Sequence, residues 1–283
     1  MPHDPTRFAR RAAAALFALA VASAAPLAAR ADEPKPLPPT ADKPAVDEKS
    51  MTKKPATRPA SAPVKEAADV GAIKLGKDEG KSFLGRHAGF LKDLAAKNGK
   101  VGVLFVGDSI TDGWRGKGKA TFAERYGSLD PLNIGIGGDR TQHVIWRLEN
   151  GEVEGISPKV AVLMIGTNNL GGNSNGEIAA GITKVVKILN DKLPTTKVLL
   201  LGVFPRSEKP TDPARARIKA INEEIAKLDD GGKRVKYLDI GPKFLTEDGT
   251  LTKEIMPDGL HPNEKGYQIW ADAIQPTLDE LMK

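Results

Sequence analysis

Apolar positions along this chain come in three textures. Residues 12–28 form an Ala-rich apolar run. Residues 32–70 carry only Leu37, Val46, Met51, Val64 and Val70 as larger apolar side chains. From about residue 78 onward, short continuous apolar runs alternate with amphipathic stretches. The short runs fall at 101–106, 131–135, 159–166, 197–204 and 234–240. They are continuous rather than alternating, which predicts strands buried on both faces. Between them, helical spacing predicts helices over 81–97, 140–150, 175–192, 212–229 and 263–281. Ile178, Ile182, Val185, Val186 and Leu189 form one apolar stripe. Asp212-Pro213 looks like an N-cap followed by proline at the first helical position. Strand and helix alternating in this way predict an α/β domain, a parallel sheet with helices on both faces, over residues 71–283. No internal repeat is visible.

The first two textures read as export and tether. Arg7, Arg10 and Arg11 precede the apolar run, and Ala29-Arg30-Ala31 follows it as a small-x-small cleavage site. This predicts a signal peptide over 1–31 and a secreted or periplasmic protein. The run is short and weakly apolar for a span, so no membrane span is expected after cleavage. Arg10-Arg11 admits a twin-arginine route, but the flanking residues favour Sec export. Residues 32–70 hold eight prolines and too little apolar surface to offset ordering entropy, which predicts a disordered linker. The net charge of +6 falls to about +3 once the leader is gone, and no basic, aromatic-interleaved stripe argues for nucleic acid. The chain has no Cys, which excludes disulfides, thiol nucleophiles and thiolate metal sites.

In sheets of this kind ligands sit beyond the carboxyl ends of the strands. Ser109 follows the first predicted strand, Gly137-Gly138-Asp139 the second and Asn168-Asn169 the third. Asp258 and His261 come after the fifth. An Asp three residues before a His can bond Nδ1–H and leave Nε2 to take a hydroxyl proton. Each residue also has a plainer reading: Ser109 as a helix cap, His261 as a turn residue beside Pro262, Asn168 as an Asx turn. Gly138 suits a close approach of backbone N–H to a ligand oxygen. A dinucleotide reading is disfavoured, because Gly135-Ile-Gly137-Gly138-Asp-Arg140 lacks the third glycine and follows the second strand rather than the first. Gly172-Asn-Ser174-Asn-Gly176 matches G-x-S-x-G, but a polar stretch separates it from the strand, so Ser174 reads as a loop and helix cap. No zinc or calcium motif appears, so no metal or cofactor is expected. His87 and His143, on predicted helices, read as structural or rim residues. Residues 113–122 and 171–176, polar and Gly-rich, are expected to rim the pocket.

Five segments resemble those of the SGNH hydrolases, also called GDSL esterases, and within them the catalytic subunits of intracellular platelet-activating-factor acetylhydrolase. They are Val103-Leu-Phe-Val-Gly-Asp-Ser109, Asn133-Ile-Gly-Ile-Gly-Gly-Asp139, His143-Val-Ile-Trp-Arg-Leu-Glu-Asn-Gly-Glu152, Ile165-Gly-Thr-Asn-Asn169 and Pro205-Arg-Ser-Glu-Lys-Pro210. The likeness runs from about residue 84 to 280. It implies a three-layer α/β/α, flavodoxin-like fold with a five-stranded parallel sheet. It implies Ser109 as nucleophile, His261 as base and Asp258 as its partner. The Ser109 N–H, Gly138 N–H and Asn168 side chain would form the oxyanion hole. Ile110, Thr167 and Leu260 would wall a small acyl pocket suited to acetyl. The first block departs from the family in reading Gly-Asp-Ser-Ile rather than Gly-Asp-Ser-Leu. The expected partner is a small-molecule, carbohydrate or lipid ester, and a homodimer is left open. A non-catalytic exported binding protein and a sugar acyltransferase of the same fold remain the alternatives.

Overall fold

The computed structural model describes residues 66–74 and 77–283; the expected signal peptide and nearly all of the expected linker lie outside them. Five strands form one sheet: β1 (Val103–Gly107), β2 (Pro131–Asn133), β3 (Val160–Met164), β4 (Lys197–Leu201) and β5 (Val235–Leu238). All pairings are parallel, in the order β2-β1-β3-β4-β5. Val103 aligns with both Pro131 and Val160, and Val198 with Val235. Seven α-helices lie among the described residues, beside short 3-10 turns: α1 (Lys77–Lys97), α2 (Ser109–Asp112), α3 (Lys119–Tyr126), α4 (Thr141–Glu149), α5 (Asn175–Lys192), α6 (Pro213–Ile225) and α7 (Glu264–Leu281).

The continuous apolar runs divide residue by residue between two cores, because side chains alternate across a strand. Leu104, Val106, Ala161, Leu163, Val198 and Leu200 face one layer, with Phe83 and Phe90 of α1, Val144 of α4, Ile182 of α5 and Ile221 of α6. Val103, Phe105, Val160, Val162, Leu199 and Leu201 face the other, with Tyr126 of α3 and Trp270 and Ile274 of α7. This is the three-layer α/β/α architecture that the pattern and the resemblance implied.

The helix starts obey local capping chemistry. Ser174 accepts the Glu177 N–H while the Glu177 side chain accepts the Ser174 N–H, a capping box that settles the G-x-S-x-G match as structural. Asp212 caps α6 through the Ala214 N–H, with Pro213 in the first turn.

Several boundaries differ from expectation. β4 ends at Leu201 because Asn222 of α6 takes both polar groups of Val203, accepting from its N–H (2.8 Å) and donating to its carbonyl (3.1 Å). Residues 66–70, expected in the linker, lie on the domain, with Ala68 buried and its carbonyl accepting from Thr141 Oγ1 (2.6 Å). Residues 113–122 are not polar throughout: Arg115, Gly116 and Lys117 are exposed, but Trp114 is 1% exposed and packs on Tyr267 and Trp270. Phe122 joins the same cluster from α3. Burial of that indole fills the space between β1 and α7, which outweighs the polar character of its neighbours.

Candidate active site

β1 stops at Gly107, where a Cβ would stand 2.2 Å from Thr111 Oγ1 and 2.3 Å from the Met164 carbonyl. Only glycine lets the chain turn there directly into α2, whose first residue is Ser109. Asp108 caps that turn, Oδ1 accepting the Ile110 N–H at 2.9 Å. The Asp108 carboxyl is fully buried. Burial pushes it up to about 7, the Ile110 N–H opposes this, and neighbouring Asp139 adds to the rise.

The loop before α7 supplies the other half. Asp258 Oδ1 accepts the N–H groups of Leu260 (3.0 Å) and His261 (2.7 Å), closing one tight turn. Its Oδ2 lies 2.6 Å from His261 Nδ1. Partial burial raises the Asp258 carboxyl, but the His261 N–H, the His261 ring and the Leu260 N–H together bring it down to about 2. An ionised carboxylate can only accept, so Nδ1 carries the proton and Nε2 is left as the acceptor. Nε2 lies 2.8 Å from Ser109 Oγ, across 152 residues of sequence. The geometry therefore brings Ser109, His261 and Asp258 into one hydrogen-bonded line.

Ser207 holds the His loop from the side, its N–H donating to the Gly259 carbonyl at 2.7 Å. Both residues have positive φ, +66° and +69°. Ser207 belongs to the Pro205–Pro210 segment, whose role the sequence alone did not disclose.

The opposite wall is the Gly137-Gly138 loop after β2, with Gly138 at φ +73°. Asn168 Nδ2 donates to the Asp139 carbonyl at 2.8 Å, which fixes the amide and leaves its second N–H for a ligand. Among the described residues, the Ser109 and Gly138 N–H groups donate no backbone hydrogen bond either. Asn169 behaves differently: it is buried, accepts the Thr141 N–H (3.0 Å) and donates to Asn173 Oδ1 (3.1 Å). Of the pair, one asparagine faces the site and the other braces the loop. Asn173, expected on the rim, is buried in that brace.

Ile110 is buried in the apolar cluster around Trp114, and Leu260 packs against the same cluster. Thr167 is buried too, but its carbonyl and Oγ1 face Arg206 Nη1, each at 3.4 Å. The expected wall thus contains an apolar pair and a polar third residue held by a guanidinium.

Beneath the glycine loop runs a buried chain of charges. Arg147 Nε donates to Asp139 Oδ2 at 2.9 Å, Arg147 also pairs with Glu152, and Glu152 meets His87 Nδ1 at 2.8 Å. His143 Nδ1 accepts the Arg140 N–H at 3.0 Å, and burial, reinforced by Lys74, Arg140 and Arg147, pushes its ring down to about 3. Both helical histidines are structural. Among the described residues no group of three or more His, Cys, Asp or Glu could hold a metal ion.

Taken together, the chain forms a doubly wound α/β domain, and its Ser109–His261–Asp258 line lies at the β1/β3 switch point of the sheet. The sequence profile of the GDSL-like Lipase/Acylhydrolase family matches residues 105–269, and the chain belongs to that family. It is 36% identical over 206 residues to subunit alpha1 of platelet-activating factor acetylhydrolase IB from Bos taurus, covering 71% of this chain and 84% of the relative. Subunit alpha2 from Gallus gallus is 39% identical over 207 residues, covering 71% and 85%. The crystal structure of an acetyl xylan esterase has a TM-score of 0.55 at 22% identity, covering 63% of this chain and 100% of the other, a likeness of fold.

Proposed function

We propose that the protein is an exported serine esterase that hydrolyses short-chain, acetyl-type esters. The Ser109–His261–Asp258 line carries this reading, at 2.8 and 2.6 Å. Ser109 Oγ attacks the ester carbonyl as its proton passes to His261 Nε2. The negative oxygen so formed is met by the N–H groups of Ser109 and Gly138 and the free N–H of Asn168, each donor worth on the order of 10²–10³ in rate. His261 then gives its proton to the departing alcohol, leaving an acyl-Ser109. Water, deprotonated by the same nitrogen, attacks that ester, and collapse releases the acid and restores Ser109.

Ile110 and Leu260 would close the acyl side of the site, favouring acetyl over longer chains. The relatives named for acetylhydrolase and the fold neighbour named for acetyl xylan esterase support an acetyl ester of lipid or carbohydrate as the substrate class. Export rests on the Arg-led apolar run and the Ala29-Arg30-Ala31 site. N-terminal sequencing of protein recovered from the periplasm or medium should begin at Asp32; intact Met1 on cytoplasmic protein would refute it.

The central test is hydrolysis of p-nitrophenyl acetate, butyrate and octanoate, beside Ser109→Ala. Turnover should fall steeply with chain length and vanish in the variant, as should labelling by a fluorophosphonate. Labelling that survives Ser109→Ala would reject Ser109 as the nucleophile. Folded wild type inactive on every ester would reject the esterase reading.

A further inference from the structure

The segment before α1 is pinned across the site's rim. Besides the Ala68 carbonyl, its Ala72 N–H donates to the Gln142 carbonyl at 3.0 Å. Glu66 accepts from Gln142 Nε2 (3.0 Å) on its carboxylate and from Asn173 Nδ2 (3.2 Å) on its carbonyl. These bonds tie it to the start of α4 and to the loop after β3. The segment's one cationic side chain is Lys74, only 10% exposed. Its Nζ donates to the Gly137 carbonyl and forms an ion pair with Asp139 Oδ1 at 3.0 Å.

The Gly137 carbonyl and the Gly138 N–H are the two ends of one peptide unit. No described peptide bond is cis, and in a trans peptide C=O and N–H point in opposite directions. An ammonium holding the oxygen therefore aims the N–H away from itself. Two glycines flank this unit, so rotation of the whole peptide meets little steric resistance. The unit also lies against the nucleophile, since a Cβ on Gly137 would stand 3.9 Å from Ser109 Cβ. A charge-assisted bond to the carbonyl further polarises the amide, which strengthens its N–H as a donor.

We propose that Lys74 is a positioning residue that locks the Gly137-Gly138 peptide with its N–H turned toward Ser109, so that residues 66–74 complete the oxyanion hole. This rests on reading Gly138 as an oxyanion donor. It makes a segment outside the matched family region part of the working site.

The test uses the full chain with Lys74→Met, which keeps most of the side chain's length and removes the charge. The control is Lys187→Met, at an exposed α5 position whose lysine pairs with Asp191 one turn along the same helix. Partial loss of one oxyanion donor predicts a kcat on p-nitrophenyl acetate lower by about 10–100-fold, with KM within about threefold. In parallel, the Gly137 ¹³C carbonyl and Gly138 amide resonances should shift in Lys74→Met and not in the control. A kcat within twofold of wild type would overturn the proposal, as would a lost kcat with those resonances unmoved, since the lysine would then only neutralise Asp139. If Lys74→Met fails to fold, Lys74→Met/Asp139→Asn removes the buried carboxylate along with its cation, and the same readings apply. If wild type turns over no ester, the esterase reading fails by itself, and the two resonances decide the positioning role alone.

Discussion

Asp258 serves three hydrogen bonds with two oxygens, and its replacement separates them. Asn at 258 keeps an acceptor for the Leu260 and His261 N–H groups, so the turn survives. Its amide, however, donates toward Nδ1, which drives the ring proton to Nε2 and leaves no base facing Ser109. Asp258→Asn should therefore lower kcat on the order of 10²–10⁴-fold, with the melting temperature nearly unchanged; steady-state kinetics beside a thermal melt checks both. Leu260 tests the acyl wall. It is only half-buried, so truncation does not open a core cavity. Leu260→Ala should raise the butyrate-to-acetate ratio of kcat/KM by about tenfold, the scale set by one or two methylenes in an apolar pocket. Ile110 is unsuited to the same test, because at 1% exposure its truncation would cost about 2–5 kcal/mol of stability.

At the scale of elements, the close approach of α5 to α4 and to the 66–74 segment depends on Gly181. A Cβ there would stand 2.5 Å from the Ala68 carbonyl and 2.5 Å from Thr141 Oγ1. Gly to Ala within a helix ordinarily gains up to about 1 kcal/mol. Here overpacking should win, and Gly181→Ala should destabilise by about 1–3 kcal/mol, read as a lower urea midpoint at unchanged slope. α5 itself was legible to the residue, because Ser174 and Glu177 form a local capping box and the apolar stripe has helical period. α3 was not. Its sequence, Lys-Ala-Thr-Phe-Ala-Glu-Arg-Tyr, carries little periodic signal, and it is held by aromatic contacts of Phe122 and Tyr126 with Phe105 and Trp114, which lie elsewhere in the chain.

Over the whole molecule, buried carboxyls link stability to pH. Asp108 titrates near 7 in the fold against 3.8 in the open chain. Between those values the folded state binds more protons than the unfolded state, so this group lowers stability as pH rises through that window and no further above it. Its Oδ2, buried with no hydrogen-bond partner, agrees with a carboxyl that resists ionisation. Asp108→Asn keeps the cap on Ile110 and cannot ionise. The difference in melting temperature, variant minus wild type, should grow by several degrees from pH 5 to pH 8. A difference that stays flat would mean that Asp108 is ionised throughout.

What the sequence determined by itself was whatever is written in short-range pattern. Continuous apolar runs leave no polar face, so the strands had to be covered on both sides and parallel. Asp258 and His261 sit on one turn, so their pairing needs nothing beyond local geometry. Ser109, Gly138 and Asn168 follow strands directly, which placed them at one sheet edge. The tertiary structure decided what depends on distant partners. It brought Ser109 and His261 together across 152 residues through the β2-β1-β3-β4-β5 order. It also gave Asn168 to the site and Asn169 to the brace, buried Trp114, and seated Lys74 on the Gly137 carbonyl from the stretch just past the expected linker. Burial makes the reason physical: an unpaired polar group in the interior is costly, so each finds a partner wherever the fold places one, and no local spacing encodes which.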